Sequence, residues 1–315
     1  MTSPILAGYC PRTSDRGPVD LAAALARLTG AQLIVTAIYA GGTVMDEPWG
    51  GEYADRPAVD ARKALERLAL GIGDDVTVEL RALEAVTPAS GLSAAIAASK
   101  PGLVVLGSTH RGPAGRVLPG STAERVIHGA QCPVVVVPHG YEPPAGRLET
   151  IGAAFAPTPE GREALRAAAR LAGASGAGLR AIMVLDPRLA EHQSPGMLAL
   201  HHHEHALSED DTARARMQAE RLFEQAIAEL PTGVEAEPDV LFQDPAEGLA
   251  AASEQLDLLV MGSRAYGPLR AVMLGGVTRR MISRAACPLL VLPRGVSGAL
   301  GELMPSSETA PPAGR

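Results

Sequence analysis

Residues 107–122 bring together Gly107, Ser108, Thr109 and His110, then Gly120, Ser121 and Thr122. Glycines and hydroxyls at a turn that runs into a helix are the types that hold a phosphate. Backbone N–H groups at a helix start are unpaired and carry the positive end of the helix dipole. Glycine lets the backbone come close to an anion, and a hydroxyl adds a donor. At an offset of 155, "VMLGGVTRRM" (272–281) matches "VLPGSTAERV" (117–126), with Gly276 where Ser121 stands.

Other residue clusters point to less. His201, His202, His203 and His205 follow His192, and if the segment is helical His201 and His205 share a face at a spacing able to hold a metal. The favoured reading is a solvated polar insertion from His192 to His205, with no metal required. His110, His128 and His139 line up with nothing that resembles a nucleophile and base, so no triad is expected. Cys132 and Cys287 each precede a proline and an apolar run, where buried small hydrophobes are the default. The acidic pairs Asp74–Asp75 and Asp210–Asp211 look like loop and helix surface.

The elements that must position these residues are limited first by size. At 315 residues and 46% hydrophobic residues the chain can fill two cores of ~150 residues each, built from Ala, Val, Leu and Ile because aromatics are only 3%. The net charge of −7 and a pI of about 5.7 argue against a nucleic-acid partner, which usually meets a basic face. No charged-then-apolar leader opens the chain, and no apolar run approaches the ~18 residues of a membrane span. Three scattered cysteines do not make a disulfide framework. A soluble protein of the reducing cytoplasm, without a membrane partner, is expected.

The chain is written twice. Residues 101–138 align without a gap to residues 256–293, pairing Gly107 with Gly262, Gly120 with Gly275, Cys132 with Cys287 and Pro138 with Pro293. "TGAQL" (29–33) echoes "SGAGL" (175–179), and "PASGL" (88–92) echoes "PAEGL" (245–249). A period this long is a duplicated domain rather than a solenoid, whose unit is about 20–50 residues.

Within each copy, apolar β-type runs alternate with Ala-rich helical stretches. In copy one "PILAGY", "QLIVTAIY", "VTVELRAL", "LVVLGS" and "PVVVVP" are separated by four helical segments, the last being "STAERVIHG". Strands apolar on both faces and divided by helices predict a parallel sheet covered on both sides. The fold class is α/β: two tandem doubly wound domains, each a five-stranded parallel sheet flanked by helices. Thr87 before Pro88 and Asp244 before Pro245 are read as N-caps of the third helix of each copy. The domains are placed at 1–140 and 148–295, with a linker at 141–147 and a disordered tail at 296–315.

The run from Gly107 to Pro138 resembles the C-terminal signature of the universal stress protein family: Gly, two residues, Gly, nine residues, Gly and then Ser or Thr, a helix and a "CPV" strand. The resemblance covers both copies. It implies two domains packed as a pseudo-dimer through "CPVVVVP" and "CPLLVLP", apolar edge strands that need a partner. In members that bind ATP the Gly-rich loop and its helix seat the ribose and phosphates, and an Asp at the end of the first strand contacts the adenosine. By that resemblance the nucleotide-binding residues of copy one are Gly107, Ser108, Thr109, His110, Gly120, Ser121 and Thr122.

Both copies depart from the pattern. His110 stands at the second signature glycine of copy one, where it either crowds the ribose or supplies a new contact, and Ala265 stands there in copy two. The first-strand Asp falls at Cys10 and at Ala156. Ser121 has two readings: with Glu124 three residues on it forms a capping box that needs no ligand, or it contacts a nucleotide as well. Copy two has Arg279 at the position of Glu124, a cation in a first turn, so its site is read as degenerate. The resemblance thus implies a non-catalytic stress-response protein holding ATP or another adenine nucleotide in domain 1. A nucleotide-free interaction scaffold and a slow ATPase stay open as alternatives. A homodimer is a further possibility.

Overall fold

The computed structural model describes residues 2–40, 56–108, 121–143, 147–186, 209–231, 233–263 and 276–293. Copy one runs β1 (Ile5–Tyr9), α1 (Gly17–Thr29), β2 (Leu33–Tyr39), α2 (Arg56–Ala69), β3 (Val78–Glu84), α3 (Pro88–Ser99), β4 (Leu103–Gly107), α4 (Ser121–Gly129) and β5 (Val134–Val137). Copy two repeats the order with β6 (Thr150–Ala154), α5 (Pro159–Ser175), β7 (Gly178–Leu185), α6 (Glu209–Ala228), β8 (Ala236–Phe242), α7 (Pro245–Ser253), β9 (Leu258–Gly262), α8 (Gly276–Met281) and β10 (Leu289–Leu292).

The two parallel sheets expected from the sequence join into one ten-stranded sheet of order β3-β2-β1-β4-β5-β10-β9-β6-β7-β8. The central pair is antiparallel, with Val135 opposite Leu290, whereas β4 and β5 and likewise β9 and β10 run parallel. That pairing is the pseudo-dimer: strands buried along their whole length complete each other's hydrogen bonds instead of presenting open edges. The outer edges are protected in other ways. β3 carries Glu79, Arg81 and Glu84, and β8 holds Pro238, which cannot donate to a further strand.

The helices divide between the two faces. Buried residues of α1, α2, α5 and α6 (Leu21, Leu65, Leu165 and Phe223) belong to one apolar cluster, and those of α3, α4, α7 and α8 (Leu92, Val126, Leu249 and Met281) to the other. Both clusters draw on both copies, so the duplicated chain has cores continuous across the central strand pair. Phe155 and Phe223, with ring centroids 5.1 Å apart, fill the first cluster in copy two.

Local signals explain the element ends. The echo between "TGAQL" and "SGAGL" is a shared helix stop: Gly30 (φ 66°) and Gly176 (φ 70°) end α1 and α5 in the left-handed region that glycine adopts at little cost. Thr87 caps α3 in a capping box with Ser90, and Asp244 caps α7 by accepting from the Ala246 and Glu247 amides. The segment read as linker is more engaged than its Pro and Gly content suggested. Tyr141 packs against the first cluster and its hydroxyl donates to the Asp257 carbonyl at 3.4 Å. Asp257 in turn accepts from the Glu149 and Thr150 amides at 2.6 and 2.8 Å, fixing the entry to β6.

Candidate functional site

In an open α/β sheet a ligand crevice forms at the carboxyl ends of neighbouring strands whose following helices leave on opposite faces. In copy one those strands are β1 and β4, since α1 and α4 lie in different clusters. The carboxyl end of β4 is Gly107, followed by Ser108, and the end of β1 is Tyr9, followed by the exposed Cys10. α4 begins at Ser121 with Thr122 in its first turn, so its unpaired N–H groups belong to this end of the sheet. Gly107 and Ser108 thus stand at the carboxyl end of β4, and Ser121 and Thr122 at the start of α4, the helix that follows β4 in the chain. Thr109, His110 and Gly120, and the side chain of Ser121 on which its two readings turn, lie outside the described residues.

Gly107 has a packing role of its own. A Cβ there would stand 3.0 Å from Cγ of Pro18, so the missing side chain lets the start of α1 lean over the strand end. Ser108 is anchored too, its hydroxyl accepting from the His139 backbone N–H at 3.0 Å.

The structure adds two residues that the sequence reading did not assign to this crevice. Asp15, in the connection between β1 and α1, accepts from the Gly17 amide at 3.1 Å through Oδ1. Its Oδ2 meets Nδ1 of His139 at 2.9 Å and accepts from the Gly140 amide at 3.4 Å. The carboxylate is nearly enclosed, 9% exposed, while the His139 side chain is 31% exposed. With Nδ1 held by the carboxylate, Nε2 is the ring nitrogen left for an outside partner among the described residues. A sequence signal for Asp15 existed: an Asp two residues before "GP" at a helix start is an Asx turn. Nothing local pointed to His139.

Copy two is built differently at the matching place. Its connection from β6 to α5 covers only residues 155–158, against 10–16 in copy one, and Ala156 lies in it beneath the helix start. Gly262 is overlain by Glu160, whose backbone oxygen would stand 2.8 Å from an added Cβ. An acidic residue thus sits where copy one has Pro18. Thr278, buried at the position of Ala123, donates to the Gly262 carbonyl at 3.3 Å and draws α8 down onto the strand end. α8 itself spans only Gly276–Met281, has no acidic residue in its first turn and carries Arg279 and Arg280, the latter paired with Asp244 at 2.9 Å. Ser263, the counterpart of Ser108, is buried and its hydroxyl has no partner among the described residues.

Among the described residues no cluster of three His, Cys, Asp or Glu side chains could hold a metal ion. The segment from His192 to His205 lies outside them. No described helix is long and apolar enough to cross a membrane. Cys132 and Cys287 are buried, as their sequence context predicted, and burial pushes their thiols up to about 11 and about 12.

Comparison with known proteins gives one consistent result. The profile of the universal stress protein family matches residues 1–138 and again 148–293. A universal stress protein of Mycobacterium tuberculosis is 30% identical over 253 residues, covering 78% of this chain and 82% of that protein. Among solved structures, a universal stress protein from Archaeoglobus fulgidus superposes with a TM-score of 0.63 at 18% identity, over 94% of this chain and all of that one. A second, from Pseudomonas aeruginosa, gives 0.64 at 17% identity over 96% of both chains. These two likenesses concern the fold.

Proposed function

The chain belongs to the universal stress protein family and shares its stress-response role, and we propose that it is a non-catalytic member that binds one adenine nucleotide, in copy one. The observation that carries this reading is the asymmetry of the two crevices. In copy one Gly107, with Ser108 after it, ends β4 beside an uncharged Pro18, the helix that follows has nine residues, and the β1–α1 connection is longer. In copy two a six-residue helix, a buried threonine and Glu160 occupy the same place. A phosphate gains from unpaired helix N–H groups and loses beside a carboxylate, so only copy one suits it.

The proposed chemistry is recognition. The first turn of α4 and the Ser108 region receive the phosphates, and with Cys10 at the end of β1 no carboxylate stands there for the adenosine. Thr109, His110 and Gly120 complete the proposed loop. ATP is the proposed ligand and no metal is needed to hold it. We divide the chain at residues 141–147, with domains at 1–140 and 148–295 and the tail from 296, and place the protein in the cytoplasm. The test is to purify the protein, denature it by heat and identify what is released. Adenine nucleotide at up to one equivalent per chain is expected; a chain that carries none and takes up none on incubation with ATP contradicts the reading and leaves a nucleotide-free scaffold.

A further inference from the structure

The first-strand acid that the family resemblance calls for is missing from copy one, yet a carboxylate is present five residues later, at Asp15. Both of its oxygens are spent on the Gly17 amide, the Gly140 amide and the His139 ring, and it is nearly enclosed. Asp15 is thus placed to hold another group, not to meet a ligand. The group it holds, His139, follows β5, the strand beside β4, and its backbone N–H is bound to the Ser108 hydroxyl at 3.0 Å. The imidazole is therefore anchored at two points, through its own backbone to Ser108 and through Nδ1 to Asp15, with part of the ring open to solvent.

From this geometry we infer that His139 is a phosphate contact of the copy-one crevice and that Asp15 is its positioning residue. The Asp15 carboxylate holds the ring through Nδ1 and leaves Nε2 as the ring atom turned to an outside group beside Ser108. A phosphate oxygen is an acceptor that a ring N–H can meet there, so an anionic ligand is the partner that this arrangement suits. The neutral adenosine portion gains nothing from it. The serine that matches Ser108 in copy two is buried without a partner among the described residues, which sets the two copies apart at the same position. The inference deepens the nucleotide reading of copy one and rests on it.

The test compares ATP with adenosine on the full chain, by titration of the parent, His139→Ala and His139→Gln. The bond to Ser108 uses the backbone and survives both substitutions. In His139→Ala the dissociation constant for ATP is expected to rise about tenfold, the loss of one charge-assisted hydrogen bond, while that for adenosine stays unchanged. His139→Gln, which keeps a neutral donor, is expected to fall between. ATP affinity unchanged in both variants overturns the inference. Equal weakening of ATP and adenosine also overturns it, because it assigns the histidine a purely structural role. A parent that binds neither ligand overturns the nucleotide reading itself, and this inference with it; melting of the ligand-free variants within a few degrees of the parent shows that the fold is intact.

Discussion

Asp15 and His139 stand 124 positions apart in the chain and meet at 2.9 Å, joining the connection after β1 to the turn after β5. Together with the Asp15 bonds to the Gly17 and Gly140 amides, the pair fixes two backbone segments at the mouth of one crevice. Removing the carboxylate in Asp15→Ala is expected to raise hydrogen exchange at Gly17 and Gly140 by about tenfold, the loss of one modest hydrogen bond each, while exchange in β1 and β4 stays slow. Unchanged exchange at both glycines would show that the bonds do not hold these segments.

The signature glycines differ in what surrounds them. An added Cβ at Gly262 meets backbone of Glu160 at 2.8 Å, whereas at Gly107 it meets only a proline ring atom at 3.0 Å. Backbone yields less than a side chain, so Gly262→Ala is expected to cost about 1–3 kcal/mol and Gly107→Ala distinctly less. Urea denaturation of the two variants checks the order. A larger loss for Gly107→Ala would contradict it.

Because both apolar clusters cross the β5–β10 pair, the two copies should unfold together. Calorimetry is expected to give one transition whose calorimetric and van't Hoff enthalpies agree. Val135→Asp, which buries a charge opposite Leu290, is expected to lower the melting temperature by well over 5 °C or to split the transition. Two well-separated transitions in the parent would mean that the cores are independent.

The thiols provide a pH test. Burial raises Cys132 to about 11 and Cys287 to about 12, so both stay protonated and unreactive at pH 8, whereas Cys10 is exposed. A thiol reagent should modify one cysteine in the native protein and three after denaturation. A raised folded value contributes stability below the ordinary thiol value of 9.0, and that contribution is lost as the pH climbs through about 11 and 12. Stability is therefore expected to fall over this range, and less so in Cys132→Ala and Cys287→Ala once each variant is compared with its own stability at pH 8.

The strands and helices could be read from the sequence because their signals are local and doubled. Runs such as "VVVV" are apolar on both faces, and Thr87-Pro88 and Asp244-Pro245 are helix starts in either copy. The pairing of β5 with β10 followed from two apolar edges and the family resemblance, and the structure adds that it is antiparallel. The Asp15–His139 pair did not, since nothing local marks His139 and the pair depends on how two distant turns fold over the same sheet end. The role of Tyr141 was hidden for a related reason. Its neighbours are Pro, Gly and charged residues typical of a linker, while its partner Asp257 lies 116 positions away. The phosphate-type residues Gly107, Ser108, Ser121 and Thr122 were legible by type, and the difference in loop length between copies was present in the sequence but carried no meaning until the helix starts were placed.

The central claim is one nucleotide site per chain, in copy one, and calorimetric titration of the purified, nucleotide-free protein with ATP tests it most directly. The result expected is a stoichiometry of one, weakened by Ser121→Gly beyond the few tenths of a kcal/mol that such a change at a helix start costs by itself, and not raised to two by Gly276→Ser. A stoichiometry of two in the parent, or no binding at all, would contradict the claim.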